Sequence, residues 1–160
     1  MRTTAVNGAK FLNAIVVASV VLALRMPAFA EDRMVLGPRQ FERDSAGGAV
    51  LCIWGIHLSV QTATRACGLT RRPVDNAIDK AIAAIDEFIL ANSSLHPTRA
   101  MLEDFKRRAA ESDLSFARQH GLQKFCESAG SFRNVSPEEI EASVKSLLAV
   151  PREPVMNPCL

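Results

Sequence analysis

The chain has 160 residues and nearly balanced charge, with 19 Lys and Arg side chains against 17 Asp and Glu. Three of the basic residues and none of the acidic ones lie in the first 30 positions, which leaves 16 basic and 17 acidic groups and a net charge of −1 in the rest. This balance argues against a nucleic-acid partner and against binding to an anionic membrane surface. The remaining length suits one domain with one core.

The first 30 residues are organised like a secretory signal peptide. Arg2 and Lys10 precede a nearly uncharged apolar run at 11–24, and Ala-Phe-Ala at 28–30 places small residues where signal peptidase cleaves. The run is about 14 residues long, short of the ~20 that a membrane-spanning helix needs. We therefore predict export to the periplasm or the cell exterior, with cleavage after Ala30 and no stable membrane insertion afterwards.

Two helices are predicted in the first half of the exported chain. Residues 31–48 hold Gly-Pro and Gly-Gly pairs without a sustained period, and we expect a flexible N-terminal segment there. Apolar residues then recur at helical spacing from about 49 to Cys67, and Gly68 suits a helix stop. A second helix begins at Pro73 and ends near Asn92, with acidic side chains opposite its apolar stripe.

Two further helices and a tail complete the prediction. The third helix is capped by Thr98 and continues to about Cys126, with a break or kink at Gly121. Its inner face holds Leu102, Phe105, Ala109 and Phe116, while the basic run at 106–108 is expected to face water. Ser136, Pro137 and Glu139 form a capping-box signature that starts the fourth helix, and Pro151 stops it. The Pro-rich tail, 151–160, should be extended and add few core contacts.

These elements predict an all-α fold, a small bundle of about four helices at 49–150 followed by the tail. Four cysteines, all after residue 30, favour two disulfides in an exported protein. A helix over 49–67 would hold Cys52 and Cys67 ~22 Å apart, beyond the ~7 Å limit for a disulfide. Antiparallel packing of consecutive helices favours Cys67–Cys126 with Cys52–Cys159, and the second choice is Cys52–Cys126 with Cys67–Cys159.

Candidate functional residues are few. Trp54, the sole tryptophan, is a weak candidate for a partner contact, and burial against the second or third helix is the favoured explanation. His57 is the second weak candidate and otherwise a histidine at the edge of the core. No catalytic, metal-binding or cofactor motif is present in the sequence.

The pattern therefore favours an exported, non-enzymatic protein-interaction domain, of the kind found among inhibitors, immunity proteins and chaperones, with an unidentified protein partner. The first alternative is a small-molecule or lipid binder whose cavity is lined by Phe88, Phe105 and Phe116. The second alternative is an enzyme that uses His57 as its acid–base group.

Overall fold

Five helices follow one another along the described part of the chain. A computed structural model describes residues 36–44 and 48–159, and the predicted leader with its cleavage site lies outside these residues. The helices are α1 (Val50–Ala66), α2 (Pro73–Asn92), α3 (Arg99–His120), α4 (Leu122–Phe132) and α5 (Pro137–Leu147). Across the described ranges the structure has no β-strand, only an isolated bridge between Arg43 and Asn157. The all-α prediction is confirmed.

Local sequence signals explain where the helices begin. The Thr98 hydroxyl accepts a hydrogen bond from the Met101 backbone at the start of α3. At α5 the Ser136 side chain and the Glu139 carboxylate exchange hydrogen bonds with each other's backbone N–H groups, which is the predicted capping box. Each cap satisfies N–H groups that have no partner inside the helix.

The predicted third helix is two helices, α3 and α4. Gly121 separates them with a φ of 131°, a conformation that residues with a Cβ rarely adopt. The apolar period resumes after the break, so periodicity alone did not reveal a change of direction. Residues 48–159 therefore form a bundle of five helices instead of about four.

The core lies around α1 and α2. Helix α1 contacts α2, α3 and α4, and α2 also contacts α5 and α3. The buried apolar side chains come from α1 and α2 above all, with Leu102 added from α3 and Ile140 and Val144 from α5. The largest fully buried ones include Trp54, Leu51, Ile85, Ile89 and Leu102.

Two acidic residues of α2 that the sequence placed on a solvated face are buried instead. Asp75 forms a two-point ion pair with Arg133, at 2.7 and 2.6 Å, and both side chains are almost fully buried. Asp86 accepts a hydrogen bond at 2.6 Å from Lys106, which was expected to face water. Because α1, α3 and α5 all cover α2, its buried surface extends beyond the apolar stripe.

The segments at the two ends of the described chain pack against each other. In residues 36–44 a turn buries Leu36 and Gln40, although a flexible segment was expected there. The Gln40 carbonyl accepts a hydrogen bond from the Met156 backbone, and the Leu51 backbone donates one to Val155. Pro154 is also buried, so the extended tail makes more core contacts than its composition suggested.

Two disulfides join the helices to one another and to the tail. Cys52 pairs with Cys159, with Cα atoms 5.2 Å apart, and Cys67 pairs with Cys126, with Cα atoms 5.9 Å apart. These are the pairs that antiparallel packing favoured. The first fixes the tail to the start of α1, and the second fixes the end of α1 to α4.

Candidate binding groove along helix α1

One side of α1 is left uncovered and forms the floor of an apolar groove. Helix α4 contacts α1 while α5 contacts α2, so the surface of α1 between them stays open. The opening, which we call the α1–α4 groove, has a volume of about 390 Å³. Its floor is α1, one wall is α4, and one end is closed by the tail and the Cys52–Cys159 disulfide. The lining residues include Gly55, Ile56, Ser59, Phe125, Phe132 and Met156.

Gly55 opens the floor of this groove. A Cβ placed on Gly55 would meet no neighbouring side chain within 4 Å, so nothing in the fold requires a glycine there. Glycine inside a helix costs about 1 kcal/mol relative to alanine. The residue thus weakens α1 while keeping the groove free of a side chain.

Helix α4 supplies the exposed apolar wall. Ala129 is the one α4 residue that is buried, whereas Phe132 is 52% exposed. Phe125, Ala129 and Phe132 recur at i, i+4 and i+7 and share one face of the helix. An exposed phenylalanine in a stripe of this kind is typical of an interaction surface.

A second cavity lies beside the first. Its volume is about 250 Å³, and we call it the α1–α5 cavity. Ile56, Val60 and Phe132 line both spaces, so the groove and the cavity are separated only by this shared ridge. The cavity is otherwise lined by Ile53, His57, Ile78, Val135, Glu139, Ile140 and Ser143.

The α1–α5 cavity contains two ionisable groups. Burial lowers the pKa of His57 from its ordinary value, so the imidazole is neutral at pH 7. Its Nδ1 atom is buried and has no hydrogen-bond partner among the described residues. The Glu139 side chain is exposed, and its Oε2 accepts the Ser136 backbone hydrogen bond at 3.0 Å.

Trp54 is inside the protein and does not serve as a contact for a partner. It is 2% exposed, its ring stacks on Phe105 at 5.2 Å between centroids, and its Nε1 donates to Asp86 at 2.8 Å. The interpretation of Trp54 as an interaction residue is therefore wrong. Its place in the helical period did not distinguish burial from exposure, because that depends on which helix covers it.

None of the three phenylalanines expected to line a ligand cavity lines the α1–α4 groove or the α1–α5 cavity. Phe88 belongs to the core beneath the Arg152 guanidinium, which lies 5.7 Å from the ring centroid. Phe105 stacks on Trp54, and Phe116 is 64% exposed near the end of α3. The open space lies instead at Phe125 and Phe132, which a separate helix after Gly121 turns toward α1.

The described residues contain no group of three or more His, Cys, Asp and Glu arranged to hold a metal ion. All four cysteines are in disulfides. None of the helices in the described part of the chain is both long and apolar enough to span a membrane.

Comparisons with known proteins yield no relative for this chain. No protein-family model matches it, and neither the curated proteins nor the solved structures contain a match. A functional conclusion must therefore come from the groove itself.

Proposed function

We propose that this protein is an exported, non-enzymatic binding domain that docks a helical segment of a protein partner in the α1–α4 groove. The observation that carries the proposal is an open apolar groove with an exposed phenylalanine in its wall. Burial of apolar surface is the main source of affinity in such a site, and aromatic side chains at its centre contribute most.

The groove is held in shape by covalent bonds. The Cys52–Cys159 disulfide is part of the lining, and Cys67–Cys126 attaches α4 to the end of α1. A site that is already formed before binding loses less conformational entropy when the partner docks. Both disulfides therefore support a binding function as well as stability.

The dimensions of the floor favour a helix as the bound segment. Lining residues of α1 run from Leu51 to Ala63, which at 1.5 Å per residue is about 18 Å, or roughly three helical turns. An amphipathic helix of that length presents apolar residues at i, i+3 or i+4, and i+7. The other common mode, addition of a strand to a sheet edge, requires a sheet, and the described residues form none.

The proposed location is the periplasm or the cell exterior, after cleavage behind Ala30. Two disulfides are typical of proteins in these oxidising compartments. N-terminal sequencing of exported protein should begin at Glu31, and an intact Met1 would contradict cleavage.

We propose binding instead of acid–base catalysis because His57 lacks, in the described part of the chain, the hydrogen-bond partners that would orient a general base. No hydrogen bond joins it to Glu139 within the described residues, and its buried Nδ1 has no partner. A general base needs a partner that orients it and a path for its proton.

A small apolar ligand is the second candidate occupant, because no charged side chain lines the α1–α4 groove. Native mass spectrometry of gently purified protein distinguishes a small ligand from a helical segment as the occupant of the groove. A bound species of constant mass in each preparation would favour the small ligand over a helical segment.

The helix-docking proposal is tested with a phage-displayed library of three-turn helical peptides, selected against the exported, oxidised protein. We expect enrichment of peptides with apolar residues at i, i+3 or i+4, and i+7. Gly55→Phe should fill the groove and abolish binding of the enriched peptides. Gly55→Ala is the matched control, since it adds one methyl group at the same open position and should keep binding. Failure to enrich any such peptide would overturn the proposal.

A further inference from the structure

We propose that the α1–α5 cavity accepts a lysine or arginine side chain of the docked segment, with Glu139 as the carboxylate that binds its cationic head. This inference rests on the proposed function and adds a selection rule to it. The docked segment must carry a basic residue next to its apolar stripe, on the side that faces α5.

The α1–α5 cavity lies next to the α1–α4 groove. The α1–α4 groove and the α1–α5 cavity share Ile56, Val60 and Phe132 as lining residues. A helix lying in the groove therefore has the cavity directly beside it, across a single ridge. A side chain that reaches across this ridge from the docked helix has to be long, and lysine and arginine are the longest cationic side chains.

The walls of the α1–α5 cavity suit a long basic side chain. Most residues that line the cavity are aliphatic, so they suit the methylene stem of a lysine or arginine. Glu139 is the one carboxylate among the lining residues, and no lysine or arginine lines the cavity. A cavity with mostly aliphatic walls and one carboxylate among its lining residues matches an apolar stem that ends in a cation.

Glu139 has no cationic partner of its own in the described part of the chain. Its neighbour Glu141 differs, since it pairs with Lys80 at 3.2 Å. Among the described residues, the Glu139 Oε2 accepts a hydrogen bond from the backbone N–H of Ser136, and a carboxylate accepts more than one hydrogen bond. His57, the other ionisable group in the cavity, is neutral at pH 7 and does not repel a cation.

The test uses the same peptide library and the Glu139→Gln variant. Glutamine at this position still serves a capping box, so the variant removes the charge and keeps the start of α5. Glu138→Gln is the matched control, because Glu138 is an exposed first-turn residue of the same helix that does not line the cavity. Circular dichroism melts of both variants confirm that each is folded.

We expect peptides selected on the wild-type protein to carry Lys or Arg at one fixed position beside the apolar stripe. Replacing that residue with norleucine should weaken binding about fivefold, as measured by fluorescence anisotropy with labelled peptide. The same replacement should have little effect on the Glu139→Gln protein, and Glu138→Gln should behave like the wild type. Higher salt should weaken binding of the lysine peptide and leave binding of the norleucine peptide nearly unchanged.

The outcomes separate this inference from the proposed function. Enriched apolar peptides without a fixed basic position would overturn the role of Glu139 and leave helix docking standing. If Glu139→Gln and Glu138→Gln changed peptide binding equally, the role of Glu139 would likewise be overturned and helix docking would stand. A library without any enriched helix overturns both.

Discussion

The tail stabilises the protein in two ways, through the Cys52–Cys159 disulfide and through its own packing contacts. Two variants separate these contributions. The double substitution Cys52→Ser/Cys159→Ser removes the crosslink and leaves the tail. Deletion of 151–160 removes the crosslink and the contacts of the tail together. The sequence alone suggested that the tail mattered only through its disulfide, whereas the structure buries Pro154 and Val155.

The magnitude of the crosslink follows from the loop that it closes. The cysteines are 107 residues apart, which in the chain-entropy model corresponds to about 4.8 kcal/mol of stability. Residual structure in the denatured chain reduces this value. The second disulfide joins cysteines that are 59 residues apart, and the same relation gives it a stabilisation of about 4.3 kcal/mol. The two disulfides are therefore expected to contribute stabilisations of similar size.

The contacts of the tail add a second contribution, which persists in the reduced protein. Val155 is 6% exposed, and burial of a valine side chain contributes about 1.5–3 kcal/mol. The hydrogen bond from the Leu51 backbone to Val155 adds about 1 kcal/mol. Arg152 also bonds to Asp44, at 2.7 Å, and to the Leu147 carbonyl, at 2.8 Å. We expect the deletion to cost about 3–4 kcal/mol even without the disulfide.

Urea unfolding followed by circular dichroism, with and without reductant, measures both contributions. In reducing buffer the double serine variant should match the wild type, and the deletion should unfold at lower urea. In oxidising buffer both variants should be less stable than the wild type, the deletion more so. Equal midpoints for the two variants in reducing buffer would refute the packing role of the tail. Unchanged stability of the double serine variant in oxidising buffer would refute the crosslink.

Three further substitutions test the buried polar groups. Asp75→Asn should destabilise by about 3–5 kcal/mol in thermal or urea unfolding, because it leaves the buried Arg133 guanidinium without its carboxylate. The hydrogen bond from Arg133 also lowers the pKa of Asp75, so wild-type stability should fall as pH drops below about 4, and the variant should lose less over that range. Trp54→Phe should cost about 1–3 kcal/mol, since Asp86 loses the indole N–H, and a melt within error of wild type would contradict that role. Burial lowers the pKa of His57, so the unfolded chain takes up its proton first and wild-type stability should fall as pH drops below about 6.5. His57→Gln should show a flatter profile between pH 7 and 5, and parallel profiles would exclude that contribution.

The helices and most of their ends are predictable from local sequence signals. A 3.6-residue apolar period and the caps at Thr98 and Ser136 are local properties, since they depend on residues within one or two turns. The same local information excluded one disulfide pairing, because a helix of fixed rise keeps Cys52 and Cys67 apart. The preference between the two remaining pairings rested on antiparallel packing of consecutive helices. The division of α3 from α4 was less well defined, since Gly121 is compatible with both a kink and a break.

Which faces of the helices are covered depends on long-range packing, and the local sequence does not predict it. Asp75 and Asp86 lie opposite the apolar stripe of α2 and are nevertheless buried, because other helices surround that side. Phe132 has the period of a core residue and is half exposed, because α4 covers α1 only in part. The groove exists because of the angles between helices, and those depend on long-range packing that no short stretch of sequence encodes.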